Sequence, residues 1–153
     1  MIKNISNLGD AALYCDFGTE VNKEVNNKVI RYFKSIQKEN IDGINNLTPS
    51  YNKLIISFDL RKKNFQNIKK LIENLNVIND DKLESNKIKI PVCCDEKFSL
   101  DIKRLEEKLK ISRDKIYEKF FNKEFFCYMT GFIAGMPFLG DLETELRAKR
   151  LET

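Results

Sequence analysis

None of the 153 residues is a histidine. That absence removes Ser-His-Asp and Cys-His nucleophile activation, and the His-Glu-x-x-His zinc helix, from this chain's own chemistry. What remains is carboxylates, lysine, tyrosine, backbone amides, or groups lent by a second protein. No apolar run approaches the roughly 20 residues of a spanning helix. The N-terminus, Met1-Ile2-Lys3-Asn4-Ile5-Ser6, reaches Asp10 without an apolar stretch of signal-peptide length. No membrane role is expected, and the expected location is cytoplasmic. Charge of one sign is also scarce. Lys+Arg 27 against Asp+Glu 23 leaves +4, too little to argue for nucleic acid. The clusters Arg61-Lys62-Lys63 and Lys69-Lys70 read as a solvated face. The four cysteines, Cys15, Cys93, Cys94 and Cys127, have no paired two-residue spacing. In a strand, Cys93 and Cys94 point to opposite faces and cannot chelate one ion together. Reduced, mostly buried thiols and no metal site are the expectation.

What is present describes a globular chain, 42% hydrophobic and 33% charged. Ala11 to Phe17 reads as a strand between the Gly9-Asp10 turn and Gly18. Val21, Val25, Val29, Tyr32, Phe33 and Ile36 recur at steps of three or four, the mark of an amphipathic helix. After Gly43, Ile44 to Leu47 form a short strand. Tyr51 to Asp59 form a stronger one, whose Leu54-Ile55-Ile56 run predicts a central position or burial on both faces. Phe65, Ile68, Leu71, Ile72 and Leu75 predict a second helix, broken at Asn79-Asp80-Asp81. Lys87 to Val92 alternates as a further strand, with Pro91 placing it at an edge. Strand, helix, strand, strand, helix, strand is the split β-α-β order of ferredoxin-like domains, an α+β class. Beyond it, Ile102, Leu105 and Leu109 mark one short helix. Ile116 and Phe120 mark another, with Ser112 as N-cap. Phe125 to Met129 resumes strand composition. The division predicted is 1–86 and 87–153.

The segment Tyr128-Met129-Thr130-Gly131-Phe132-Ile133-Ala134-Gly135-Met136-Pro137-Phe138-Leu139-Gly140 stands apart from this Lys- and Asn-rich background. It carries no charge, and three glycines and a proline alternate with large apolar side chains. Glycine in such a run predicts positive φ or a close backbone approach. An apolar loop of this kind is either covered by another element or lines a site. Its spacing is neither Gly-x-Gly-x-x-Gly nor the Gly-Lys-Ser/Thr ending of a P-loop, so spacing assigns it no cofactor. Asp95-Glu96 is a carboxylate pair after an apolar strand. An acidic surface loop is the commoner explanation of such a pair, and a functional loop the rarer one.

Four ordered segments carry a resemblance: Gly9-Asp10-Ala11-Ala12-Leu13, Pro49-Ser50-Tyr51-Asn52-Lys53-Leu54, Ile90-Pro91-Val92-Cys93-Cys94-Asp95-Glu96, and Gly131 to Gly140. Together they resemble the family of 5-oxoprolinase B-type subunits, also called KipI or allophanate hydrolase subunit 1 (carboxyltransferase domain, C and D type). The resemblance implies a ferredoxin-like N-terminal domain followed by the opening part of a cyclophilin-like β-barrel. It implies a protein that acts only with C-type and A-type partner subunits, in ATP-dependent opening of 5-oxoproline to glutamate, with the ATP site assignable to a partner. The substrate-binding residues it implies are Asp95, Tyr128, Gly131, Phe132, Gly135, Pro137 and Gly140. Phe120 stands where the family commonly has histidine. Ala134, Met136 and Asp141 stand where it more often has Pro, Phe and Gly, and the family continues for tens of residues past Thr153. The rival reading is a non-catalytic binding protein that inhibits a sensor histidine kinase, with the apolar loop as its anchor. Self-association through that loop is the third expected partnership.

Overall fold

The structure is a computed structural model, and it describes residues 1–78 and 86–150. The helix breaker expected at residues 79–81 and the last three residues of the charged tail lie outside the described residues. Two compact units divide the chain. One comprises Met1–Glu84 with Tyr128–Phe138, the other Ser85–Cys127 with Leu139–Thr153.

The first unit is built on a four-stranded antiparallel sheet in the order β1-β2-β4-β3. Its strands are β1 (Asn4–Asn7), β2 (Ala12–Asp16), β3 (Ile44–Pro49) and β4 (Lys53–Phe58). Helices α1 (Lys23–Glu39) and α2 (Phe65–Glu73) pack their apolar stripes on one face. That face carries Leu13 and Cys15 of β2 opposite Ile56 and Leu54 of β4, all fully buried. Val29 and Ile36 from α1 and Ile68 and Ile72 from α2 close over them. Both helices start on asparagine. The Asn22 side chain accepts from the Val25 N–H, and Asn64 forms a reciprocal box with Asn67.

Two expectations are corrected here. The strand expected at Lys87–Val92 is absent, and Ile88, Ile90 and Val92 stand 80%, 61% and 57% exposed. The edge position beside β2, which the split β-α-β order reserves for the last strand, is held by β1. Only one segment can pair with that edge. Asn4–Asn7 is joined to β2 by the short turn at Gly9, so a local hairpin closes with little loop entropy. β4 is central, but it alternates. Leu54, Ile56 and Phe58 are buried while Ile55 and Ser57 are half-buried, so one face of the sheet, not two, is fully packed.

The second unit contains α3 (Ile102–Leu109) and α4 (Arg113–Phe121). Its small core is Ile102, Ile116 and Leu146, flanked by Leu105, Leu109, Ile111, Tyr117 and Leu142. Ser112 occupies the N-cap position of α4 without a side-chain cap. The Glu106 carboxylate accepts the Arg113 N–H at 2.6 Å in its place. Strands β5 (Phe126–Thr130) and β6 (Pro137–Gly140) form a two-stranded sheet. The cysteines also depart from expectation. Cys15 alone is buried, Cys94 is half-buried, and Cys93 and Cys127 are exposed.

Candidate functional site

The glycine-rich segment forms the loop of the β5–β6 hairpin, and three backbone hydrogen bonds define its shape. Gly131 N–H donates to Met136 O at 3.1 Å and closes the hairpin. Ile133 N–H donates to Gly131 O at 2.8 Å across Phe132, whose φ is 67°. A two-residue bond across a positive φ is the rare, strained form of γ-turn. Met136 N–H donates to Ile133 O at 3.2 Å, with Gly135 at φ 80°. A four-residue turn with positive φ at its third residue is a type II turn, where proline suits the second position and glycine the third.

Only Gly135 of the three glycines therefore uses a left-handed backbone. The other left-handed positions are Phe132 and Asp141, at 67° and 66°. The differences from the resembling family become physical at these places. Ala134 sits at the second turn position, which favours proline. Asp141 sits at a left-handed position, which favours glycine and which aspartate tolerates better than most residues. The N–H groups of Gly131, Ile133 and Met136 are engaged inside the loop. Those of Phe132, Ala134 and Gly135 have no backbone partner among the described residues.

The tip is apolar and open to solvent. Phe132 is 91% exposed and Ile133 61%. The base is packed. Tyr128 is buried, with its ring 5.6 Å from that of Tyr51, and Phe138 meets Tyr51 edge-on at 6.2 Å. Pro137 opens β6, the strand position that tolerates a missing N–H.

Tyr128, Gly131, Phe132, Gly135 and Pro137 of the expected site thus fall together within hairpin residues 128–138, which belong to the first unit. Gly140, which ends β6, and Asp95 belong to the second unit. Asp95 is exposed and precedes a short 3-10 turn, Glu96–Phe98, where its carbonyl accepts from Phe98 N–H at 2.9 Å. Nearby, Ser99 Oγ lies 2.8 Å from Tyr117 Oη, and Arg113 Nη2 donates to Cys94 O at 2.8 Å. Phe120, at the position where the resemblance expects histidine, packs its ring tilted against Phe125 at 4.9 Å and edge-on against Phe121 at 5.4 Å. That corner is an aromatic cluster with no imidazole, the Lys123 ammonium lying 6.0 Å from the Phe125 ring centroid and the Tyr117 ring 5.9 Å from that of Phe121.

Two residues that sequence reasoning missed hold the base of the hairpin. Asn26 Nδ2 reaches Tyr128 O at 3.1 Å, and Tyr51 contributes its ring. Asn26 lies three residues before the buried Val29, so its place on the apolar stripe was the available signal. A second network binds the loop before α1. Lys53 Nζ pairs with the Asp16 carboxylate and donates to Gly18 O at 2.7 Å, while Asn52 Nδ2 donates to Gly18 O and Glu20 O. The Lys53 ammonium, then the Gly18 N–H, hold the Asp16 carboxyl below its ordinary value. Burial pushes the Cys15 thiol up to about 12, which makes it an inert core residue.

No group of three or more metal-ligating side chains occurs among the described residues. No helix of the described residues is long and apolar enough to cross a membrane. A charged recess of about 300 Å³ is lined by Lys115, Glu118, Lys119, Asn122, Lys123 and Glu143. Two of its lysines are engaged: Lys119 by Glu145, and Lys123 by the Asp141 carbonyl. A triphosphate would meet carboxylates there as well as ammonium groups, and no phosphate-cradling loop is present among the described residues, so these residues do not fit ATP.

The sequence pattern of the carboxyltransferase domain, subdomain C and D, matches residues 3–153. The chain belongs to this family. Within it, the chain is 26% identical over 158 residues to the B subunit of 5-oxoprolinase from Bacillus subtilis (strain 168), a match that covers 95% of the chain. The chain spans 66% of that protein's length. Among solved structures it resembles TTHA0988 in two crystal forms. In one, the TM-score is 0.79 at 23% identity over 94% of this chain and 28% of that one. In the other, it is 0.73 at 23% identity over 92% and 26%. At that identity the likeness speaks for the fold alone: a mixed α/β chain with an antiparallel sheet and, among the described residues, four α-helices.

Proposed function

We propose that this chain is the B-type subunit of an ATP-dependent 5-oxoprolinase-like complex and works only with A-type and C-type partner subunits. The observation that carries the reading is the match of the carboxyltransferase family pattern to nearly the whole chain, joined to a relative named as the B subunit of 5-oxoprolinase. The reading includes the ferredoxin-like and cyclophilin-like character of the parts 1–86 and 87–153, a cytoplasmic setting, and an ATP site on a partner. This chain's share is the hairpin loop. The N–H groups of Phe132, Ala134 and Gly135 are donors that a substrate carboxylate or a developing oxyanion accepts without any charged side chain. Pro137, Gly140 and Tyr128 set the frame of that loop, and Asp95 orients a partner group.

The experiment is ATP-dependent glutamate release from 5-oxoproline, with this chain alone and with both partner subunits. Turnover that needs all three supports the reading. Turnover by the isolated chain refutes it.

One observation favours the second reading, inhibition of a sensor histidine kinase. The tip residues Phe132 and Ile133 are more exposed than a solvated loop warrants, and an aromatic anchor of that kind suits a protein interface. Autophosphorylation of a sensor kinase, assayed with and without the chain, separates the two.

A further inference from the structure

We infer that Asn26 is the positioning residue of the hairpin, and that it fastens the candidate loop to the N-terminal sheet with a single side-chain amide. Asn26 lies in the first turns of α1 and is 1% exposed. Its Nδ2 is 3.0 Å from Ser50 O, 3.0 Å from Tyr51 O and 3.1 Å from Tyr128 O. The first two carbonyls belong to the turn between β3 and β4, and the third lies at the middle of β5. Two amide hydrogens serve three acceptors, so one hydrogen is shared.

The chemistry of the site selects asparagine. Three carbonyls, one buried and two partly buried, require donors that bring no charge. Serine offers one hydrogen, aspartate offers none and sets a carboxylate against three carbonyl oxygens, and alanine offers no donor at all. Tyr51 completes the grip, since the residue whose carbonyl Asn26 holds also packs its ring on Tyr128 of β5 and Phe138 of β6. Both strands are therefore held at the base, three residues before Gly131 and one after Pro137. The strained, exposed tip projects from a fixed mount. This inference stands whether the loop meets a substrate or a protein, so it does not share the fate of the functional reading.

A matched control exists in the same unit. Asn52 is also buried, and its Nδ2 donates to two carbonyls, Gly18 O at 2.9 Å and Glu20 O at 3.1 Å. It touches no hairpin residue in these bonds.

The test is hydrogen exchange by mass spectrometry on the full chain, read as the ratio of exchange in 128–138 to exchange in β2 and β4. Global destabilisation cancels in that ratio. In Asn26→Asp the hairpin should exchange about tenfold faster relative to the sheet or more, the loss expected when a buried bond network of this size opens locally. The near-ultraviolet tyrosine signal of the Tyr51–Tyr128 pair should fall with it. Asn52→Asp should leave the ratio unchanged. Should Asn26→Asp not fold, Asn26→Ser keeps one donor and should give a smaller rise of the same sign. An unchanged ratio in the Asn26 variants, or an equal rise in Asn52→Asp, overturns the inference.

Discussion

Replacing Ala134 by proline should tighten the hairpin loop, and the gain can be worked from the turn itself. Ala134 is the second residue of the turn closed by Met136 N–H and Ile133 O. Proline fixes φ near the value that position requires. The Ala134 N–H has no backbone partner among the described residues, so its removal breaks nothing in the loop. The expected effect comes mostly from the unfolded chain, which loses conformational freedom, and is about 0.4–1 kcal/mol. At RT of about 0.59 kcal/mol this corresponds to a two- to fivefold slower local opening. Hydrogen exchange at the Gly131 amide, which bonds Met136 O, reports that opening directly. Phe132→Gly is the companion. It removes the strain of a bulky residue at φ 67°, worth about 1–2 kcal/mol, partly offset by the added freedom of glycine in the unfolded state. Because Phe132 is almost fully exposed, little burial is lost. Faster exchange in Ala134→Pro would mean that the turn is not type II or that the Ala134 N–H is used, and the loop geometry would be wrong.

Three further outcomes are expected. Ile56→Ala, which empties a fully buried position of the central strand, should cost about 2–5 kcal/mol in urea unfolding; a loss under about 1 kcal/mol would show that the core is not packed around β4. Thiol labelling of the native chain should modify Cys93 and Cys127 readily and spare Cys15, which is buried with its thiol pushed up to about 12; native labelling of Cys15 contradicts the sheet register. Acid should destabilise the first unit progressively as pH falls from about 4 towards 2. Asp16 is held low chiefly by Lys53, and Asp59 is lowered to about 2 by Arg61. A carboxylate with a depressed folded value contributes stability above its unfolded value, near 3.9, and loses it as pH falls through the folded one. A unit equally stable at pH 5 and pH 2 by circular dichroism would contradict these pairings.

The helices were legible because their apolar residues recur at helical spacing over several turns: Val29 and Ile36 in α1, Ile68 and Ile72 in α2. β2 was legible from the Gly9-Asp10 turn and Gly18 that bound it, and β4 from its unbroken Leu54-Ile55-Ile56 run. β1 was not, since Asn4–Asn7 has Ile5 as its one apolar residue, and four polar-rich residues become a strand only because β2 offers an edge. Lys87–Val92 has the better pattern and no strand partner. Pattern states what a segment would do beside a sheet, while topology decides which segment arrives there. The hairpin's composition pointed to the loop, and the turns explain it, yet the left-handed positions fell on Phe132 and Asp141 as well as on glycine. The Asn26 contact joins residues 102 apart, and no local pattern carries a bond of that separation. In a chain rich in asparagine, a buried one looks like any other.

The most direct test of the account is reconstitution. Purified chain, A-type subunit and C-type subunit are combined singly, in pairs and together, and glutamate formed from 5-oxoproline is measured against ATP consumed. The account predicts no turnover from the chain alone, turnover from the three together, and loss of that turnover when Phe132 and Gly135 are both replaced by aspartate. Turnover by the chain alone, or full turnover by the two partners without it, would contradict the account.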